Sequence, residues 1–172
     1  VDVTNFVMHE LGQPLHAFDY DKLPSKHIVI RKAAEKEKIV TLDEMEREVE
    51  EGTLLICDEN KPLAIAGVMG GLESAIHENT HTVLLEAAQF KDSAIRKASK
   101  NLSLRTESSA RFENEIDPIL REITAHRYRP TGRHGALQYT ELGDAEFELA
   151  DGPPCFVSAR SEEHTSELQS PC

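Results

Sequence analysis

Several groups of residues in this sequence have types and spacings that could do chemistry. His77-Glu78-Asn79-Thr80-His81 is a literal H-E-x-x-H. On a helix, that spacing sets two imidazoles on one face for Zn²⁺ and offers the glutamate as general base. Asn79 and Thr80 are poor helix formers, Gly70-Gly71 lies just upstream, and a strand is expected from Thr82, so a solvated loop is the better setting and no third ligand is indicated. Gly67, Gly70 and Gly71 bracket Val68-Met69. A phosphate cradle would need a Lys-Ser/Thr pair and a following helix, so the run reads better as a tight bend that lets a ligand lie against backbone. His16 follows a stiff Gly12-Gln13-Pro14 turn that can aim an imidazole at a pocket, although a lone histidine near an apolar run is more often structural. Glu86 stands between Leu84-Leu85 and Ala87-Ala88; a carboxylate there either alternates out to water or has a specific hydrogen-bonding task. Thr106 to Glu113 is rich in hydroxyls and also reads as a helix entry, with Thr106 as cap and Ser109 three residues on.

The elements that must position these groups are short. Val3, Phe6, Val7 and Leu11 share one helical face, with Asp2 to cap and Gly12 to stop. Leu15 to Asp19 is a loop or short extended piece; His27 to Arg31 and Ile39 to Leu42 read as strands. Asp43, Glu44, Glu46, Glu48, Glu50 and Glu51 read as a solvated turn and helix face. Thr53 to Cys57 and Leu63 to Val68 form a hairpin around Asp58-Glu59-Asn60-Lys61, with Cys57 a small core residue. Thr82 to Ala87 is a buried-type strand with an acid, Glu86, near its end amid apolar neighbours. Lys91 to Leu102 is a helix capped by Asp92, with Ala94, Ile95, Ala98 and Leu102 inward. Short strands flanked by helices predict an α+β fold, a β-sandwich-like core with flanking helices.

Composition narrows the function classes. The chain has 172 residues, 39% of them hydrophobic, with 19 Lys+Arg against 31 Asp+Glu for a net charge of −12. It can bury a core, and its acidity argues against nonspecific nucleic-acid binding by this piece alone. No stretch approaches the roughly 20 apolar residues of a membrane helix. Three cysteines with no C-x-x-C spacing predict neither a disulfide framework nor a structural zinc site, and a reducing, cytoplasmic setting is expected.

Four separated blocks carry a resemblance. Val1 to Met8 running into Gly12-Gln13-Pro14-Leu15-His16-Ala17-Phe18-Asp19 resembles the bacterial phenylalanyl-tRNA synthetase β subunit. So do Leu63 to Gly71, Leu84-Leu85-Glu86-Ala87-Ala88, and Leu104 to Glu113. The likeness covers Val1 to Pro118, the region of the central B3/B4 domain. It implies a heterotetramer of two α and two β subunits that charges tRNA(Phe) with phenylalanine. ATP and Mg²⁺ belong to an aminoacylation site on the α subunit, with no cofactor or metal in this piece. For B3/B4 it implies an editing site that hydrolyses tyrosine wrongly esterified to tRNA(Phe). By position, His16, Thr4 and Asn5 would orient the ester and water, Glu86 would sense the tyrosine hydroxyl, Gly67 would give a backbone contact, and Pro14, Thr106 and Ser108 would wall the pocket. Ser108 stands where the family often has Ala, and Asn114-Glu115-Ile116-Asp117-Pro118 departs from the family's usual Arg-Gly-Val/Thr-Asp-Pro.

The expected organisation is therefore a partial B3/B4 domain over 1–119, unmatched sequence over 120–159, and over 160–172 a disordered tail reading like a translated sequencing-library adapter, excluded from fold reasoning. A chain that opens on Val1 inside a patterned segment is expected to be part of a longer one. Two other readings stay open: a non-catalytic scaffold piece of the β subunit, and a zinc peptidase built on His77 and His81.

Overall fold

The computed structural model describes residues 2–25, 27–59, 61–114, 116–117, 119–120 and 124, and the backbone alone of three strands within 137–160. The expected coil around Arg127 to Arg133 and the expected disordered tail beyond Arg160 lie outside the described residues. In chain order the elements are α1 (Asp2–Leu11), β1 (Leu15–Asp19), a 3-10 turn (Tyr20–Lys22), β2 (His27–Lys32), β3 (Lys38–Val40), β4 (Glu46–Glu48), β5 (Leu54–Asp58), β6 (Lys61–Ile65), β7 (Met69–Gly70), β8 (Val83–Gln89), α2 (Asp92–Asn101), α3 (Glu107–Phe112), β9 (Leu137–Tyr139), β10 (Glu146–Glu148) and β11 (Phe156–Arg160). Mainly antiparallel ladders with a few flanking helices make this an α+β fold, as expected. Among the described residues no helix is long and apolar enough to cross a membrane.

Two sheets enclose the core. One has the order β1-β8-β11-β9 and the other β10-β2-β5-β6-β7, with β3 and β4 a separate hairpin. Phe18 and Leu84 from the first sheet join Ile30, Leu55 and Ile65 from the second in one buried cluster. Helices α2 and α3 close it with Ile95 and Phe112, the latter edge-on to Phe90 with ring centroids 5.2 Å apart. Removing this apolar surface from water is the main stabilisation, about 1.5–3 kcal/mol for each large side chain fully buried.

Several expectations are corrected. Helix α1 ends where Gly12 takes φ +79° and its N–H donates to the Met8 carbonyl (2.9 Å), an αL stop that glycine makes without strain. Its buried face, however, is Thr4, Val7, Met8 and Leu11, while Val3 and Phe6 stay 68% and 60% exposed. That stripe has equally good helical spacing but includes a threonine, which an apolar count passes over. The acidic run forms strand β4, because Glu46, Glu48 and Glu50 alternate with half-buried Arg47 and buried Val49 at the strand period of two. Strand β8 runs from Val83 to Gln89 rather than stopping at Ala87, since buried Ala88 continues it. Asp92 is the first residue of α2 and not its cap; Lys91 holds the N-cap place, where its side chain does not cap the helix. Thr106 does cap α3, in a reciprocal capping box with Ser109. Phe156–Arg160, where no element is expected, lies parallel beside β8.

Candidate functional site

Antiparallel pairing of β1 with β8 puts His16 directly opposite Glu86. Directly opposed residues project from the same face of a sheet, so both side chains reach one space. That space is a cavity of about 320 Å³. Helix α1 supplies Thr4, Asn5 and Met8, the turn entering β1 supplies Pro14, and the β6–β7 bend supplies Gly67 and Gly70. The start of α3 closes the far side with Thr106 and Ser108. All eight residues singled out from the sequence (Thr4, Asn5, Pro14, His16, Gly67, Glu86, Thr106 and Ser108) line this one cavity, although they come from five separate segments.

His16 is held on two sides. Its ring meets Phe18 edge-on at 4.5 Å between centroids, and on another side it lies against the bare Cα of Gly70. A Cβ at Gly70 would stand 2.3 Å from His16 Cε1 and 2.6 Å from Nε2, a contact no side chain tolerates. Nε2 is buried with no partner among the described residues. Burial alone drops the imidazole from its ordinary 6.5 to about 4, because desolvation disfavours the charged form. His16 is therefore a neutral imidazole and a weak base.

Glu86 is shifted in the opposite direction. Desolvation raises its carboxyl from 4.5 to about 8, and among the described residues nothing hydrogen-bonds to it or pairs with it. The group therefore stands as a neutral acid at pH 7, able to donate as well as accept. With both groups uncharged, the cavity is an apolar hollow that carries two polar handles.

The remaining wall is fixed by hydrogen bonds and close packing. The Thr106 hydroxyl donates to the Val68 carbonyl (2.8 Å) and accepts from the Ser109 N–H (3.0 Å), tying α3 to the glycine bend. Gly67 has φ +66°, and a Cβ there would lie 2.8 Å from Ile95 Cδ1 and 3.0 Å from Phe90 Cδ2, so its bareness serves the core as much as the cavity. The bend is held at Leu42, whose N–H donates to the Gly70 carbonyl (3.0 Å).

Sequence reasoning missed Leu42, Met8 and Ile76, which also line the cavity. An apolar residue at a hairpin tip or on a helix carries no signature of a site. Gly70 was legible as a close approach of backbone, though not that the approaching group is His16.

The H-E-x-x-H residues occupy a turn, so the two histidines do not share a helical face. His77 Nε2 approaches the buried Asp19 carboxylate at 3.4 Å, and the Thr80 hydroxyl donates to the same carboxylate at 2.8 Å. The motif staples its loop to the end of β1. No group of three or more His, Cys, Asp or Glu able to hold a metal exists among the described residues. Cys57 is buried in β5, its thiol pushed up to about 11 by desolvation, which makes it inert core.

Comparison with known proteins places the sequence in a family. The sequence model of the B3/4 domain family matches residues 1–128. The chain is 58% identical over 127 residues to the phenylalanine–tRNA ligase beta subunit of Bacillus subtilis, and 59% and 50% identical over the same length to those of Bacillus licheniformis and Clostridium acetobutylicum. Each match covers 74% of this chain and 16% of the relative, so the chain spans about one sixth of the length of these curated relatives.

Proposed function

The chain belongs to the B3/4 domain family, and from that membership and its likeness to phenylalanine–tRNA ligase beta subunits we propose that its cavity is an editing site that hydrolyses tyrosine esterified to tRNA(Phe). The observation that carries this reading is the placement of His16 and Glu86 opposite each other in one apolar cavity.

Tyrosine exceeds phenylalanine by one hydroxyl, which an apolar synthetic pocket rejects poorly, so a second site that requires the hydroxyl is useful. In the hollow, the neutral Glu86 acid exchanges hydrogen bonds with the phenol. Phenylalanine would leave that acid desolvated and unpaired, at a cost of about 1–3 kcal/mol, which is roughly a five- to 150-fold preference. Pro14, Gly67, Thr106 and Ser108 shape the walls around the ring.

Hydrolysis adds water to the ester carbonyl, breaks the acyl–oxygen bond, and returns the proton to the ribose oxygen. Thr4 and Asn5 orient the ester, and His16 Nε2, buried and without a partner among the described residues, holds the water. An aminoacyl ester is activated, so positioning and oxyanion stabilisation carry more of the rate than proton abstraction by so weak a base. In this account the α subunit of an (αβ)₂ tetramer supplies the ATP- and Mg²⁺-dependent aminoacylation, and no step in this cavity uses them.

The experiment is deacylation of Tyr-tRNA(Phe) and Phe-tRNA(Phe) by a tetramer whose β subunit carries this segment. Faster release of tyrosine supports the editing reading. Equal, background release of both would leave the segment a scaffold.

A further inference from the structure

We infer that Gln13 is a positioning residue whose side-chain amide replaces the N–H that Pro14 lacks, and thereby holds the register that sets His16 opposite Glu86. Its catalytic consequence rests on the hydrolytic reading above, but the placement does not.

Hydrogen bonds alternate along an antiparallel ladder, so one bonded pair sets the phase of all the others. Tyr20 N–H donates to the Thr82 carbonyl (3.0 Å), while Asp19 N–H turns away to Ser74 (2.9 Å). With Asp19 paired to Val83 and His16 to Glu86, the bonded phase falls on 20/82, 18/84, 16/86 and then 14/88. The last step needs an N–H from residue 14, and proline has none. Gln13 fills this place. It is 0% exposed, and its Nε2 donates 3.0 Å to the Pro14 carbonyl and 3.0 Å to the Ala88 carbonyl, 75 residues away. Both amide hydrogens are used on carbonyls, which fixes the orientation of the group and leaves Oε1 buried without a partner among the described residues.

The location gives this bond leverage. It lies two residues from Glu86 on one strand and three from His16 on the other, directly after the stop of α1, which carries Thr4 and Asn5. Strand β1 is at the edge of its sheet, with one neighbour to hold it. A slip of one residue would turn His16 to the opposite face. Gln13 thus joins three walls of the cavity without lining it.

The test uses Gln13→Met, which keeps the volume and removes the donors, and Gln13→Glu, which keeps the shape and sets carboxyl oxygens against two carbonyls. The first readout is the NMR titration of the His16 ring in the full chain, assigned by its loss in His16→Gln. Wild type holds it near 4, and the inference predicts that both variants move it toward 6.5. The second is the Tyr-to-Phe deacylation ratio in the tetramer, expected to fall tenfold or more. A folded variant that loses only thermal stability, with His16 titration and ratio unchanged, overturns the inference. If wild type releases no tyrosine, the editing reading fails and the titration alone judges Gln13.

Discussion

His16 and Glu86 are direct cross-strand partners on β1 and β8, and desolvation drives them in opposite directions, the imidazole to about 4 and the carboxyl to about 8. Neither carries charge at neutral pH. On the editing reading proposed above, such a site would recognise an uncharged phenol by hydrogen bonding, without an ion.

That neutrality separates Glu86→Gln from a larger deletion. An amide at this position is also uncharged and also able to donate and accept. Glu86→Gln should keep the Tyr-to-Phe deacylation ratio within a few-fold of wild type at pH 7. A drop as large as that of a truncated side chain would mean that Glu86 acts as an anion.

Stability should depend on pH in two opposed windows. The native state of Glu86 binds more protons than the unfolded chain between pH 4.5 and about 8, so its contribution falls as pH rises through that range. His16 in the native state binds fewer protons between about 4 and 6.5, so its contribution rises with pH there. The two offset each other up to about 6.5, and above it the Glu86 effect stands alone, with a slope of at most about 1.4 kcal/mol per pH unit. Urea denaturation from pH 6.5 to 8 should show this decline, and Glu86→Gln should flatten it. An unchanged slope in the variant would place the titration elsewhere.

Gly70→Ala tests the support behind the imidazole. The new methyl would overlap the His16 ring, so the ring must move. Hydrolysis should drop at least tenfold, with about 1–3 kcal/mol of stability lost to overpacking. Wild-type hydrolysis would show that the ring's position is not needed.

Thr106→Val removes the hydroxyl that caps α3 and bonds Val68. The expected loss is about 1–2 kcal/mol in chemical denaturation, restored by Thr106→Ser. A Thr106→Ser variant as weak as Thr106→Val would mean that the methyl, not the hydroxyl, supports the wall.

Much of this site is readable from residue types, and the parts that are not have physical reasons. Glycine and proline announce backbone constraints, so the bend at 67–71 and the turn at 12–14 are legible before any coordinates. Glu86 is conspicuous because a carboxyl among Leu and Ala must be explained. Its protonation is not legible, because desolvation depends on what the other sheet and α1 place around it. Leu42 and Met8 are invisible for the opposite reason, being apolar residues in a chain full of them. The run 43–51 reads by composition as a helix face, yet alternation at period two makes Glu46–Glu48 a strand. The inward face of α1 is missed because Thr4, a polar residue, occupies it.

The most direct measurement is the ratio of Tyr-tRNA(Phe) to Phe-tRNA(Phe) deacylation by a tetramer carrying Glu86→Ala in this segment, set against wild type. The account predicts that wild type favours the tyrosyl ester by roughly five- to 150-fold and that the variant brings the ratio close to one. A Glu86→Ala enzyme that still clears the tyrosyl ester as selectively as wild type would contradict it.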